Sequence, residues 1–411
     1  MNGIARRATT CLPITAHEVS GLIRCFSARP DPNADEHHVG RQLSRPTERQ
    51  LSSHEKWSNA VKRFPKRNWK EVEPIGLEDW SAARYEHEGL ANIHKRSYDA
   101  SVLLEIRDVR VPASSHHPSF TRLAKHREHL IAYTHADLID AKTRYRVENW
   151  TSAIWPESKS IFLDTRADCR TKDTLHHFDI AFDTLLHCME QKSQNFALTV
   201  GVPNVGKSSV LMSLLRLGRQ RGLIPKNAVK TRVSPTKRST INGRQPGVED
   251  KPGKTREITE YLLREKPRAF FMDVPGITPP GFYFKERPEA WFSFGATNLL
   301  PLGEDALQNV EMQKQFCDYV LYCANRDRVF HYVDKLRLDG PTDDINECLS
   351  KLANKYATKW DDKKLTLKRC ENFLKLYNTG NLGPLVLDDM SDFRWKPFKF
   401  SDGHFNKQEN M

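Results

Sequence analysis

Residues 201–209 read Gly201-Val202-Pro203-Asn204-Val205-Gly206-Lys207-Ser208-Ser209, a GxxxxGK[ST] loop. An apolar, strand-like run from Phe196 to Val200 enters it, and a helix-like run from Val210 to Leu217 leaves it and stops at Gly218. Strand, loop and helix in that order aim backbone N–H groups of a helix N-terminus at a phosphate. Lys207 would then reach the β- and γ-phosphates, and the Ser208 hydroxyl would ligate Mg²⁺. Pro203, Asn204, Val205, Gly206 and Ser209 complete the expected cradle. The pattern predicts an α/β domain built on a mostly parallel sheet flanked by helices, and the loop's mid-chain position has to be explained.

Downstream, Arg219 to Lys254 is a long basic stretch containing Pro and Gly, too long for a mere connection. Ile258 to Leu263 reads as a strand and Ala269 to Met272 as another, ending at Asp273-Val274-Pro275-Gly276. A DxxG at a strand end is the γ-phosphate half of a GTPase-like site: Asp273 would hold Mg²⁺, and the Gly276 N–H would meet the γ-phosphate. Thr255 stands where a switch threonine would close over both. Guanine recognition calls for an [NT]KxD string at a strand end. Thr358-Lys359-Trp360-Asp361 has the letters but follows an amphipathic helix, so it reads as a chance match.

Upstream, three apolar runs suit strands: Ser101 to Ile106, His129 to Tyr133, and Ser160 to Leu163. The second ends at Thr134-His135-Ala136-Asp137 and the third at Asp164-Thr165-Arg166, which puts a base-reading half before the phosphate-reading half. Asp137 would accept the guanine N–H groups, with Thr134, His135, Ala136, Asp164 and Thr165 around the base. That order is the signature of a circular permutation.

Here the chain resembles the circularly permuted GTPases of the YlqF/RbgA (YlqF/YawG) family. Val102 to Ser115 is similar to that family's V-E-x-x-D-A-R-x-P-x-S-S segment. The loop at 202–209, Pro252-Gly253-Lys254-Thr255, Asp273-Val274-Pro275-Gly276, and Tyr377 to Gly383 with Leu387-Asp388-Asp389 follow in the family's motif order. The resemblance implies a GTPase that uses GTP/GDP and Mg²⁺, and that binds the large ribosomal subunit during assembly. Two departures stand out. Thr134-His135 replaces the family's Asn-Lys, which implies GTP preference with reduced affinity. Phe64-Pro65-Lys66-Arg67-Asn68 replaces a Phe-Pro-Gly-His-Met motif whose His is thought to act in catalysis, leaving Arg67 to stabilise transition-state charge or to face RNA.

Around this site, 411 residues with 38% hydrophobic and 28% charged side chains can bury more than one core, and no apolar run approaches a membrane span. The net charge of +12 suits a polyanionic partner. Eight scattered cysteines without a CxxC pair read as free thiols of a reducing compartment. Residues 1–30, with Arg6 and Arg7 and no acid before Glu18, read as a mitochondrial presequence. The expected division is then 31–97 linker and N-terminal extension, 98–285 permuted GTPase domain, 286–390 helical domain, and 391–411 tail. The helical domain is either an rRNA-contacting module or a cap on the sheet.

Taken together with the resemblance, the partners expected are the mitochondrial large ribosomal subunit and its rRNA, with no DNA. The chain is expected to act as a monomer in the mitochondrial matrix, with a visit to the matrix face of the inner membrane left open. A nucleotide-binding scaffold that hydrolyses little, and use of ATP, are the rival readings.

Overall fold

Strand β1, Val102–Asp108, is buried along its whole length, as a near-continuous apolar run must be when both faces of a parallel sheet are covered. It pairs in parallel with β2, Glu128–Thr134, on one side and with β4, Phe196–Val200, on the other. Beyond β2 lies β3, Lys159–Phe162, and beyond β4 lies β6, Ala269–Asp273, both again parallel. The edge strand β5, Thr259–Arg264, runs antiparallel to β6. The sheet order is therefore β3-β2-β1-β4-β6-β5. The three strands that precede β4 in sequence stand on one side of it, and the two that follow the P-loop stand on the other.

This computed structural model describes residues 55, 57–78, 80, 93–94, 97–165, 172–190, 195–225, 259–352, 362–391 and 396–397. Residues 1–50 are not among them, so the presequence lies outside the described residues, and all that follows concerns residues 51–411. Helices α1 (Pro118–Ala124), α2 (Ala141–Ile154), α3 (Lys172–Glu190) and α4 (Lys207–Gln220) connect or follow the strands. Helix α2 starts where the Asp140 side chain accepts from the Thr143 N–H, an ordinary carboxylate cap. After β6 the chain is helical: α5 (Gly281–Glu286), α6 (Pro288–Ala296), α7 (Glu304–Leu307), α8 (Val310–Arg326), α9 (His331–Leu336), α10 (Ile345–Ser350) and α11 (Asp362–Asn378).

The helical stretch and the sheet share one apolar cluster. It runs from Val102, Leu104 and Ile106 of β1 through Leu211 and Leu214 of α4 to Phe292, Phe316 and Phe373. Gly295 shows how tightly α6 meets α8, since a Cβ there would lie 2.2 Å from the Phe316 ring. The N-terminal extension joins the same cluster through Trp69, which sits edge-on to Phe292 and Tyr319.

Candidate functional site

The phosphate half is built where β4 ends. Gly201 passes so close to β1 that a Cβ would stand 2.7 Å from the Ile106 carbonyl. Gly206 adopts φ +95° at the start of α4, a left-handed conformation that glycine takes at little cost. Lys207, Ser208 and Ser209 form the first turn of α4. The Lys207 amine donates to the carbonyls of Gly201 (3.1 Å) and Val202 (2.8 Å), bracing the loop from within. Asn204, at φ 57°, is the exposed tip, and its side-chain amide donates to the Asn298 carbonyl just beyond α6.

The parallel register of β4 and β6 sets Asp273 beside Thr199, at the mouth of the loop. Gly276 then lies on the loop itself: a Cβ there would come within 2.8 Å of the Pro203 N and Cα and 3.0 Å of the Lys207 amine. The Ile277 N–H donates to the Gly201 carbonyl and fastens the contact. Asp273 is buried, and its Oδ1 has no hydrogen-bond partner. Burial pushes its carboxyl up to about 6 against the pull of Lys207, and burial likewise pushes the Lys207 amine down to about 8 against the pull of Asp273. A buried carboxylate oxygen without a donor beside a half-compensated amine fits a site completed by a cation and an anionic phosphate.

The base half is built at the ends of β2 and β3. Thr134 is buried, and its hydroxyl lies 2.8 Å from the Val205 carbonyl and 3.2 Å from the Arg107 carbonyl, sharing one hydrogen between a P-loop acceptor and a β1 acceptor, with His135 Nδ1 3.0 Å away. Thr134 thus ties the base loop to the phosphate loop. His135 turns into the left-handed region at φ 59° and starts a short 3₁₀ turn, Ala136–Leu138, in which both carboxylate oxygens of Asp137 are buried. The Leu163 N–H donates to Tyr133, and the Ala136 N–H donates to Leu163, so Asp164 and Thr165 follow directly beside the base loop. All the base-site positions named from the sequence therefore meet at one end of the sheet.

Thr255 lies outside the described residues, as do the basic stretch from 226 on and the string at 358–361. Arg67 lies in the N-terminal extension, where its guanidinium pairs with Asp318 of α8 and donates to the Asp343 carbonyl. Four side chains with a bearing on the site carried no role in the sequence reading. Asp108 and Arg110 form a buried ion pair at the end of β1, Arg110 also donates to Asn378 at the end of α11, and Asp388 accepts from the N–H groups of Ala113 and Ser114. Their signal was present, since all four fall in the two family-like stretches 102–115 and 377–389.

A family described as a 50S ribosome-binding GTPase matches residues 196–365. The mitochondrial ribosome-associated GTPase 1 of Xenopus tropicalis is 24% identical over 318 residues, covering 73% of this chain and 91% of that protein. The mitochondrial GTPase 1 of Schizosaccharomyces japonicus is 26% identical over 322 residues, covering 72% and 85%. A crystal structure of GNP-bound YlqF from T. maritima aligns over 74% of this chain and 100% of its own, at 14% identity and a TM-score of 0.41.

Proposed function

Because the chain belongs to the circularly permuted GTPases of the YlqF/RbgA family, we propose that it couples GTP binding and hydrolysis to assembly of the mitochondrial large ribosomal subunit, in the matrix, by contacting rRNA. It is a GTPase, and it binds a guanine nucleotide. The observation that carries the proposal is the junction at β4: Thr134 links the base loop to the P-loop, and Gly276 rests on the same P-loop beside Lys207. A base and a γ-phosphate held at those two points belong to one nucleotide.

In this reading the Lys207 amine and the N–H groups opening α4 hold the β- and γ-phosphates, and Asp137 holds the base. Ser208 and Asp273, with Thr255, would hold Mg²⁺, which when bound neutralises charge on the phosphate oxygens. Gly276 is the point at which the presence of a γ-phosphate is felt, because it lies so near the loop that a Cβ there would come within 2.8 Å of the Pro203 backbone. Ile277 follows it, so no side chain at that position can orient water. Arg67 stabilises transition-state charge only if its guanidinium leaves Asp318 and Asp343 on the ribosome, and Arg67→Ala with unchanged ribosome-stimulated hydrolysis would remove that role.

Residues 98–285 act as the nucleotide module and 286–390 as the rRNA-facing one. The net charge of +12 and Lys363, Lys364, Lys368, Arg369 and Lys375 on α11 support an RNA partner. Asn204 donating to Asn298, and Arg110 to Asn378, give the two modules direct contacts at the site. The test is co-sedimentation of the chain with mitochondrial large subunits under GDP and under a non-hydrolysable GTP analogue. Tighter, salt-sensitive binding with the analogue is expected, and equal binding in both states would overturn the switch.

A further inference from the structure

The end of β1 carries a clamp that the nucleotide chemistry above does not use. The β1–β2 register pairs Asp108 with Thr134, so the next residue, His135, turns back over the end of β1. The Val109 N–H donates to the Thr134 carbonyl and holds that turn. Asp108 is fully buried, and both of its oxygens are engaged. Its Oδ1 accepts from the Arg110 backbone N–H (2.9 Å) and Nε (3.0 Å). Its Oδ2 accepts from Arg110 Nη2 at 2.6 Å and faces His135 Nδ1 at 3.3 Å, so that Nδ1 sits between this carboxylate oxygen and the Thr134 hydroxyl oxygen, 3.0 Å away.

Arg110 is itself fixed on its other side by Asn378 and by the face of the Tyr377 ring, 5.8 Å away. The carboxylate therefore cannot rotate away from His135. A carboxylate at Nδ1 holds the proton on that nitrogen and sets the ring's rotation, as it does for a metal-bound or catalytic histidine. His135 also holds φ 59°, a left-handed conformation uncommon for a residue with a β-carbon, which its surroundings must fix.

We propose that Asp108 is a positioning residue for guanine recognition: clamped by Arg110, it fixes the His135 imidazole at the base site and thereby strengthens guanine binding. The proposal rests on the reading of residues 134–137 as the base site. The alternative is an ion pair that merely ends β1, and the two differ in how Asp108 and His135 combine.

The experiment is a double-mutant cycle read by titration of the full chain with a fluorescent GDP, using Asp108→Asn, His135→Ala and the pair. Asp108→Asn should weaken GDP roughly fivefold in the wild-type background and less than about twofold when His135 is already Ala. A loss of thermal stability from Asp108→Asn should appear in both backgrounds alike. The same factor in both backgrounds, or no loss of GDP affinity in the wild type, overturns the proposal. Should the Asn variant fail to fold, ¹⁵N-histidine NMR of Thr134→Val with saturating GDP decides it: with the hydroxyl acceptor gone, a His135 ring still protonated at Nδ1 upholds the clamp, and a neutral ring protonated only at Nε2 refutes it. Unchanged GDP affinity in Asp137→Ala would instead overturn the base-site reading itself, whatever the cycle gives.

Discussion

The Thr134 hydroxyl reaches the Val205 carbonyl at 2.8 Å, so a residue of the base loop is bonded to a residue of the phosphate loop 71 positions later. Both groups are buried, and a buried carbonyl that loses its donor is expensive, about 1–3 kcal/mol. Thr134→Val keeps the shape and removes the donor. It should lower the melting temperature and weaken GDP by roughly tenfold, because the two halves of the site would no longer be held in register. Unchanged affinity in a fluorescent-GDP titration would mean the bond is incidental.

Gly276 has a separate role that a methyl group tests. In Gly276→Ala the new Cβ would meet the Pro203 backbone at 2.8 Å, and backbone cannot yield as a side-chain tip can. The segment after β6 must then lift from the loop. If the Gly276 N–H serves the γ-phosphate, affinity for a non-hydrolysable GTP analogue should fall at least about tenfold more than affinity for GDP. Equal losses for the two nucleotides would contradict that assignment.

Much of this site is legible from residues 196–217 and 269–276, because a strand, a glycine loop and a helix are local events with local signals. The permutation is legible too, since it is a matter of motif order: three strand-like runs precede the P-loop. What stays hidden depends on partners far apart in sequence. Thr134 reads as a weak substitute for Asn until Val205 is seen beside it. Arg67 reads as a free cation near a motif, whereas Asp318, 251 residues away, takes its guanidinium. Helix α1 is missed because its cap is the His117 imidazole, which accepts from the Ser119 N–H, rather than Ser, Thr, Asp or Asn. Pro118 in its first turn is the signal that could have found it.

Asp137 offers a change of specificity rather than a loss. Guanine presents two N–H donors to a carboxylate, whereas xanthine carries an oxygen where guanine has its amino group. Asp137→Asn should weaken GDP by about a hundredfold or more and raise affinity for the xanthine nucleotide, because mismatched buried polar groups are heavily penalised. Competition between GDP and XDP for the variant measures it. Loss of both, with no gain for XDP, would count against Asp137 as the base reader.

The last prediction concerns pH and the buried imidazoles beside α1. His116 and His117 are both almost wholly buried. Burial pushes His116 down to about 4, with Glu105 opposing and Arg107 reinforcing it. Burial, reinforced by His116, pushes His117 down to about 3. The unfolded chain protonates these rings near 6.5, whereas the folded chain resists until the lower values, so the unfolded state binds more protons in between. Stability must therefore fall as pH drops below about 6.5, by about 1.4 kcal/mol per pH unit for each ring. His117→Asn isolates one of them, since an Asn oxygen can still accept from the Ser119 N–H and cap α1 but does not titrate. Urea unfolding between about pH 6 and pH 4.5, above the range where carboxylates such as Glu105 dominate, should show the variant losing stability less steeply than the wild type by about one proton. Parallel slopes would mean that His117 is not held neutral in the folded protein.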